Sequence, residues 1–138
     1  MPEKGSIKAV LDTNIFISSI FWTGNPHAIV NLALNKKITV YTSPAILTEL
    51  EKVLQRDFKE DREFVERQIA LILDYAELVR PLHTVSIVND DPDDNKIIEC
   101  ALTAKAGYIV SGDPHLTNLK EVLGIKIVTP AIFMNLMR

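Results

Sequence analysis

The sequence predicts an α/β fold, a three-layer α/β/α arrangement on a mostly parallel, roughly five-stranded sheet. Two observations carry that expectation. Short β-branched runs alternate along the chain with longer segments of helical period, the pattern that βαβ units leave in a sequence. Two of those runs, Ala9-Val10-Leu11 and Tyr108-Ile109-Val110, stop at or just before an Asp and hand over to a helical pattern, as a buried strand feeding a βα turn does.

In order, the first strand covers residues 7–11 and a short buried helix follows over 15–21, ended by the turn Trp22-Thr23-Gly24-Asn25-Pro26. A helix over 26–34 admits Pro26 in its first turn and sets Ile29, Leu32 and Ala33 on one face. Residues 38–42 are a β-branched strand, and Ser43 before Pro44 is an N-cap for the next helix. Residues 45–55 and 61–75 form a helical hairpin inserted between the second and third strands. Residues 77–80 read as the third strand, stopped by Pro81. The pattern loosens from His83 to Asn89 before the run Asp90-Asp91-Pro92-Asp93-Asp94-Asn95. A helix with the stripe Ile97, Ile98, Ala101 and Leu102 then ends at Gly107. Residues 108–111 and 125–128 are the last strands, with a helical turn over 114–119 between them and a closing helix over 130–137.

The 138 residues fit one domain, 1–138, with 47% apolar and 24% charged residues. No apolar run reaches the ~18 residues of a spanning helix, so no membrane partner is expected. The N-terminus lacks signal-peptide character, and the single Cys100 excludes an internal disulfide, so the expected location is cytoplasmic. A net charge of −3 speaks against a non-specific nucleic-acid binder but not against an enzyme that concentrates acids in its site and bases around it.

Four acids, Asp12, Glu49, Asp94 and Asp113, are candidates for one site. Asp12 and Asp113 follow strands, and in open α/β sheets ligands sit at the carboxyl ends of strands. Asp94 precedes a helix leading into the fourth strand, and Glu49 interrupts the inner face of the helix after the second. Clustered carboxylates raise one another's pKa unless a cation lies between them. Mg²⁺ or Mn²⁺ suits oxygen ligands, whereas scattered His27, His83 and His115 with one Cys give no zinc spacing. Such a site suits phosphoryl chemistry.

Leu11-Asp12-Thr13-Asn14, Ser43-Pro44 … Thr48-Glu49-Leu50, Asp94-Asn95-Lys96-Ile97 … Ala101 and Ile109-Val110-Ser111-Gly112-Asp113 stand in an order that resembles PIN-domain nucleases. The resemblance covers nearly the whole chain. Asp-Pro-Asp-Asp-Asn-Lys and Val128-Thr129-Pro130 look like the VapC-like branch, the toxin components of toxin–antitoxin pairs. It implies a metal-dependent endoribonuclease that leaves a 5′-phosphate. Asp12, Asp94 and Asp113 would hold Mg²⁺ or Mn²⁺, Glu49 would complete the catalytic quartet, and Asn14 and Ser111 would brace the loops. RNA would be the substrate, a cognate antitoxin the partner, and a homodimer the assembly.

Each residue also has a structural role to weigh against the functional one. Asp12 and Asp94 are placed to cap helices, and Asp113 to sit in a turn before Pro114. Asp90, Asp91 and Asp93 read as solvated loop charges, and Cys100 as buried and inert. Trp22 reads as an anchor or a base-stacking residue. Lys52, Arg56, Lys59 and Arg62 belong to a solvated hairpin that also carries enough positive charge to meet a nucleic-acid backbone. The rival functions are a non-catalytic binding module and another Mg²⁺-dependent phosphotransfer domain. The second normally places a Lys at a later strand end, where this chain has Val128-Thr129-Pro130.

Overall fold

The computed structural model describes residues 7–82 and 92–138, with side chains described for 7–82 and 94–138. β1 (Lys8–Leu11) passes through Asp12 into α1 (Thr13–Phe21). α2 (Asn25–Leu34) follows Gly24, whose φ of 133° with ψ of −161° is a conformation essentially reserved for glycine. β2 (Thr39–Thr42) leads into α3 (Pro44–Arg56), where the Ile46 N–H donates to the Ser43 hydroxyl at 3.3 Å and Pro44 opens the helix. α4 (Arg62–Tyr75) is capped by Asp61, which accepts from the Phe64 N–H at 2.8 Å.

α4 then runs without a loop into β3 (Ala76–Leu78). The remaining elements are α5 (Pro92–Ala104), β4 (Tyr108–Val110), α6 (Pro114–Thr117), β5 (Glu121–Val122), β6 (Ile125–Val128) and α7 (Pro130–Leu136).

The sheet order is β3-β2-β1-β4-β6-β5, parallel throughout except for the β5–β6 pair. Among the described residues the sheet thus has six strands rather than five. The additional strand, β5, is two residues long and turns back through Leu123 and Gly124, at φ 50° and 85°. Both residues are left-handed, as a tight hairpin of this twist requires. Leu is not a residue that signals such a turn, so the sequence pattern did not mark it. β3 lies at 76–78 rather than the expected 77–80. It pairs Val40↔Ala76 through Thr42↔Leu78, and the ladder closes where β2 ends, with the Val79 N–H donating to the Thr42 carbonyl at 2.9 Å.

β1 and β4 lie at the centre, and Ala9, Val10, Leu11, Ile109 and Val110 are fully buried, as expected for strands covered on both faces. The chain moves one way across the sheet from β1 to β3 and the other way from β3 to β4 and β6. Right-handed crossovers therefore put α1–α4 on one face and α5 on the other. α3 buries Ile46, Leu50 and Leu54, and α5 buries Ile97, Ile98 and Ala101 against β1, β2 and β4. Each large side chain removed from water in this way contributes about 1.5–3 kcal/mol. No helix of the described residues is long and apolar enough to cross a membrane.

Candidate active site at the carboxyl ends of β1 and β4

The direction of the chain reverses between β1 and β4, which is where an open parallel sheet leaves a crevice at its carboxyl edge. The ladder closes there with the Asp12 N–H donating to the Val110 carbonyl at 3.0 Å and the Ser111 N–H donating to Val128 at 3.0 Å. Ser111 is fully buried, and its hydroxyl does two things at once. It donates to Asp12 Oδ2 at 2.7 Å and accepts from the Asp113 N–H at 3.0 Å. One oxygen therefore ties the two strand-end acids together.

Asp12 occupies the N-cap position of α1, but its side chain makes no capping hydrogen bond. It is buried, at 7% exposure. Burial pushes its pKa above the ordinary Asp value, and the Glu49 and Asp113 carboxylates add to that; the Ser111 hydroxyl and the Thr13 N–H oppose it. Asp113 does cap, its Oδ1 accepting from the His115 N–H at 2.9 Å at the start of α6.

Glu49 reaches the rim from α3. Thr13 Oγ1 donates to Glu49 Oε2 at 2.5 Å, and Lys96 Nζ stands 3.2 Å from Glu49 Oε1. Asp94, in the first turn of α5, is buried at 5% exposure. Asp12, Glu49, Asp94 and Asp113 line one pocket of about 120 Å³, together with Thr13, Asn14 and Val53.

Asn14 is exposed and its side chain makes no hydrogen bond among the described residues, while Thr13 and Ser111 hold Glu49 and Asp12. Thr13 and Lys96 were not singled out as site residues from sequence. Their only signal was adjacency to Asp12 and Asp94, since both act on Glu49 from distant parts of the chain. Asp90, Asp91 and His83 lie outside the described residues, as does the side chain of Asp93. Cys100 is fully buried, and burial lifts its thiol to about 12, so it is an inert core residue. Trp22 is 58% exposed and meets Phe21 and Phe58 edge-on.

A hard divalent cation fits this donor set. Every candidate ligand atom is a carboxylate oxygen, and burial, with smaller contributions from the Glu49 and Asp113 carboxylates, disfavours the charged form of Asp12, which a nearby cation would offset. Among the described residues, no three His, Cys, Asp or Glu side chains converge closely enough to enclose an ion by themselves. Mg²⁺ or Mn²⁺ takes one or two carboxylates and fills the remaining positions with water and phosphate oxygens.

The model of the PIN domain family matches residues 8–115. A protein of Methanocaldococcus jannaschii described as the uncharacterized protein MJ1680 is 32% identical over 145 aligned residues, covering 96% of this chain and 92% of that one. Among solved structures, VapBC2 from Rickettsia felis, bound to a DNA fragment from its promoter, superposes with a TM-score of 0.63. The identity is 16%, with 89% of this chain and 98% of that chain covered. PAE2754 from Pyrobaculum aerophilum gives a TM-score of 0.63 at 10% identity, covering 97% and 92%. The family match extends over both strand-end acids and the helices that carry Glu49 and Asp94: the chain belongs to the PIN domain family.

Proposed function

We propose that this protein is a Mg²⁺- or Mn²⁺-dependent endoribonuclease in which residues 1–138 act as one domain. One observation carries the reading. A buried carboxylate, Asp12, ends the central strand of a parallel sheet, is spared from capping, and shares a pocket with three further acids. Asp12, Asp94 and Asp113 would hold the metal, directly or through water, and Glu49 would complete the catalytic set. When bound, the cation lowers the pKa of a water and offsets the charge of the scissile phosphate.

The chain's own residues hold the geometry. Ser111 fixes Asp12 through Oδ2 and the Asp113 backbone through its N–H, so the separation between the two acids is set by one buried hydroxyl. Thr13 and Lys96 each hold one oxygen of Glu49, fixing the side chain at the rim of the pocket. Asp113 spends Oδ1 on α6, leaving Oδ2 for the pocket.

In the cell the protein is the toxin of a toxin–antitoxin pair, cytoplasmic, homodimeric and held in check by a cognate antitoxin. The family match and the likeness of fold to VapBC2 support this reading. The test is cleavage of mixed single-stranded RNA by wild type and Asp12→Asn in Mg²⁺, Mn²⁺ and EDTA, with calorimetric metal titration of both. Cleavage that needs metal and disappears in the variant is expected. Metal-independent cleavage, or an unaltered variant, sinks the assignment.

A further inference from the structure

Glu49, Lys52, Val53 and Arg56 recur along α3 at intervals of three and four, so they share one face of the helix. With Ala45, Thr48 and Lys96 they line a second pocket of about 210 Å³, which shares Glu49 and Val53 with the acidic one. The two pockets are neighbours of opposite charge. The first is lined by four acids, the second by three cations and Glu49 alone.

The three cations differ in how they are held. Lys96 is fixed at the border by its pair with Glu49, its side chain only 16% exposed. Arg56 lies against its neighbour Asp57, Nε to Oδ1 at 2.7 Å and Nη2 to Oδ2 at 3.0 Å, both groups in open solvent. An exposed pair of that kind holds weakly, and its forked donor geometry suits a phosphate as well as it suits a carboxylate. Lys52 is exposed and makes no ion pair among the described residues. At ~1.5 Å of rise per residue, Lys52 stands ~4.5 Å and Arg56 ~10.5 Å along the axis from Glu49. Cations therefore begin within one turn of the acidic pocket and continue away from it.

An acidic pocket repels a polyanion, and a chain of net charge −3 offers no general attraction to offset that. Cations placed at its edge are what would let a nucleic-acid strand lie there. We propose that the α3 pocket is a phosphate subsite, in which Lys52 and Arg56 hold the backbone of a single-stranded RNA beside the bond presented to the acids. The ligand class rests on the nuclease reading; the pocket and its charge do not. Lys59 and Arg62, the other cations of this hairpin, do not line the pocket and serve as its internal control.

The experiment is fluorescence anisotropy of the full chain with a labelled short single-stranded RNA, in EDTA, titrated with salt. Far-UV circular dichroism establishes that each variant is folded. Each phosphate neutralised on a single strand contributes ~0.7 to the slope of log K against log salt, so Lys52→Gln with Arg56→Gln should weaken binding and flatten the slope by ~1.4. Lys59→Gln with Arg62→Gln, the same change in net charge, should leave the slope in place. Asp57→Asn, which releases Arg56, should tighten binding more than Glu66→Gln does. An unchanged slope in the first double variant, equal losses in both, or no RNA binding by wild type overturns the proposal. RNA held through this pocket but never cut with Mg²⁺ or Mn²⁺ supports the subsite and removes the nuclease; RNA cut while the slope stays fixed does the reverse.

Discussion

The turns after β1 and β4 are built from the same parts and end differently. Each brings a strand to the rim, places an Asp there and starts a helix. At α6 the Asp113 carboxylate takes the helix N–H and is partly exposed. At α1 the Asp12 carboxylate makes no such bond, is buried, and has its pKa raised. The difference comes from Ser111, whose hydroxyl claims Asp12 from the neighbouring strand. An Asp at a strand end therefore becomes an exposed cap or a buried, uncapping carboxylate according to what else reaches it.

The largest effect expected from disturbing this arrangement is that of Asp12→Asn, which should reduce cleavage by more than ~10²-fold, since even outer-shell changes at metal sites cost 10–100-fold. The metal-free variant should also gain thermal stability at neutral pH, because a buried group whose charged form is disfavoured has been made neutral. Ser111→Ala removes the tie between the turns. It should lower metal affinity ~10–100-fold by calorimetry. It should also cost about 1–3 kcal/mol in urea unfolding, because Asp12 loses its buried donor.

Asp113 separates the two roles directly. Asp113→Ala should cost about 1 kcal/mol for the cap as well as metal affinity, whereas Asp113→Asn keeps the cap and loses only metal. Equal destabilisation by both would mean that the cap is not the carboxylate's structural task.

The smallest effect is one of pH. Because folding raises the pKa of Asp12, its contribution to stability is full below the unfolded value and is lost as pH rises through the folded one. The melting temperature of metal-free protein, compared with Asp12→Asn, should thus fall as pH climbs out of the carboxylate range. Saturating Mg²⁺ should abolish that fall.

Much of this was legible before any coordinates. Asp12 and Asp113 could be placed because an apolar run ending in an acid is a local signal, and Ser43-Pro44 and Gly107 punctuate helices for equally local reasons. What escaped was non-local. Thr13 and Glu49 are 36 positions apart, and no pattern in either neighbourhood announces their hydrogen bond. Lys96 appeared only as part of a motif, and the left-handed pair Leu123-Gly124 hid β5 because its first residue is not one that turns favour. Asn14 was assigned a bracing role by resemblance; it stands exposed in the first turn of α1, lining the acidic pocket.

The direct passage of α4 into β3 sets how much change in length the chain tolerates. α3 starts immediately after β2 under the Ser43 cap, and α4 becomes β3 at Ala76 with no intervening residue, so neither base of the hairpin has slack. A residue inserted between Tyr75 and Ala76 would shift the pairing of Val40 with Ala76 by one and turn the buried face of β3 outward. The same residue inserted between Glu60 and Asp61, at the tip, travels with neither strand. Linkers, tags or a permuted terminus therefore belong at that tip, about as far along the hairpin from its joins with the sheet as the fold permits.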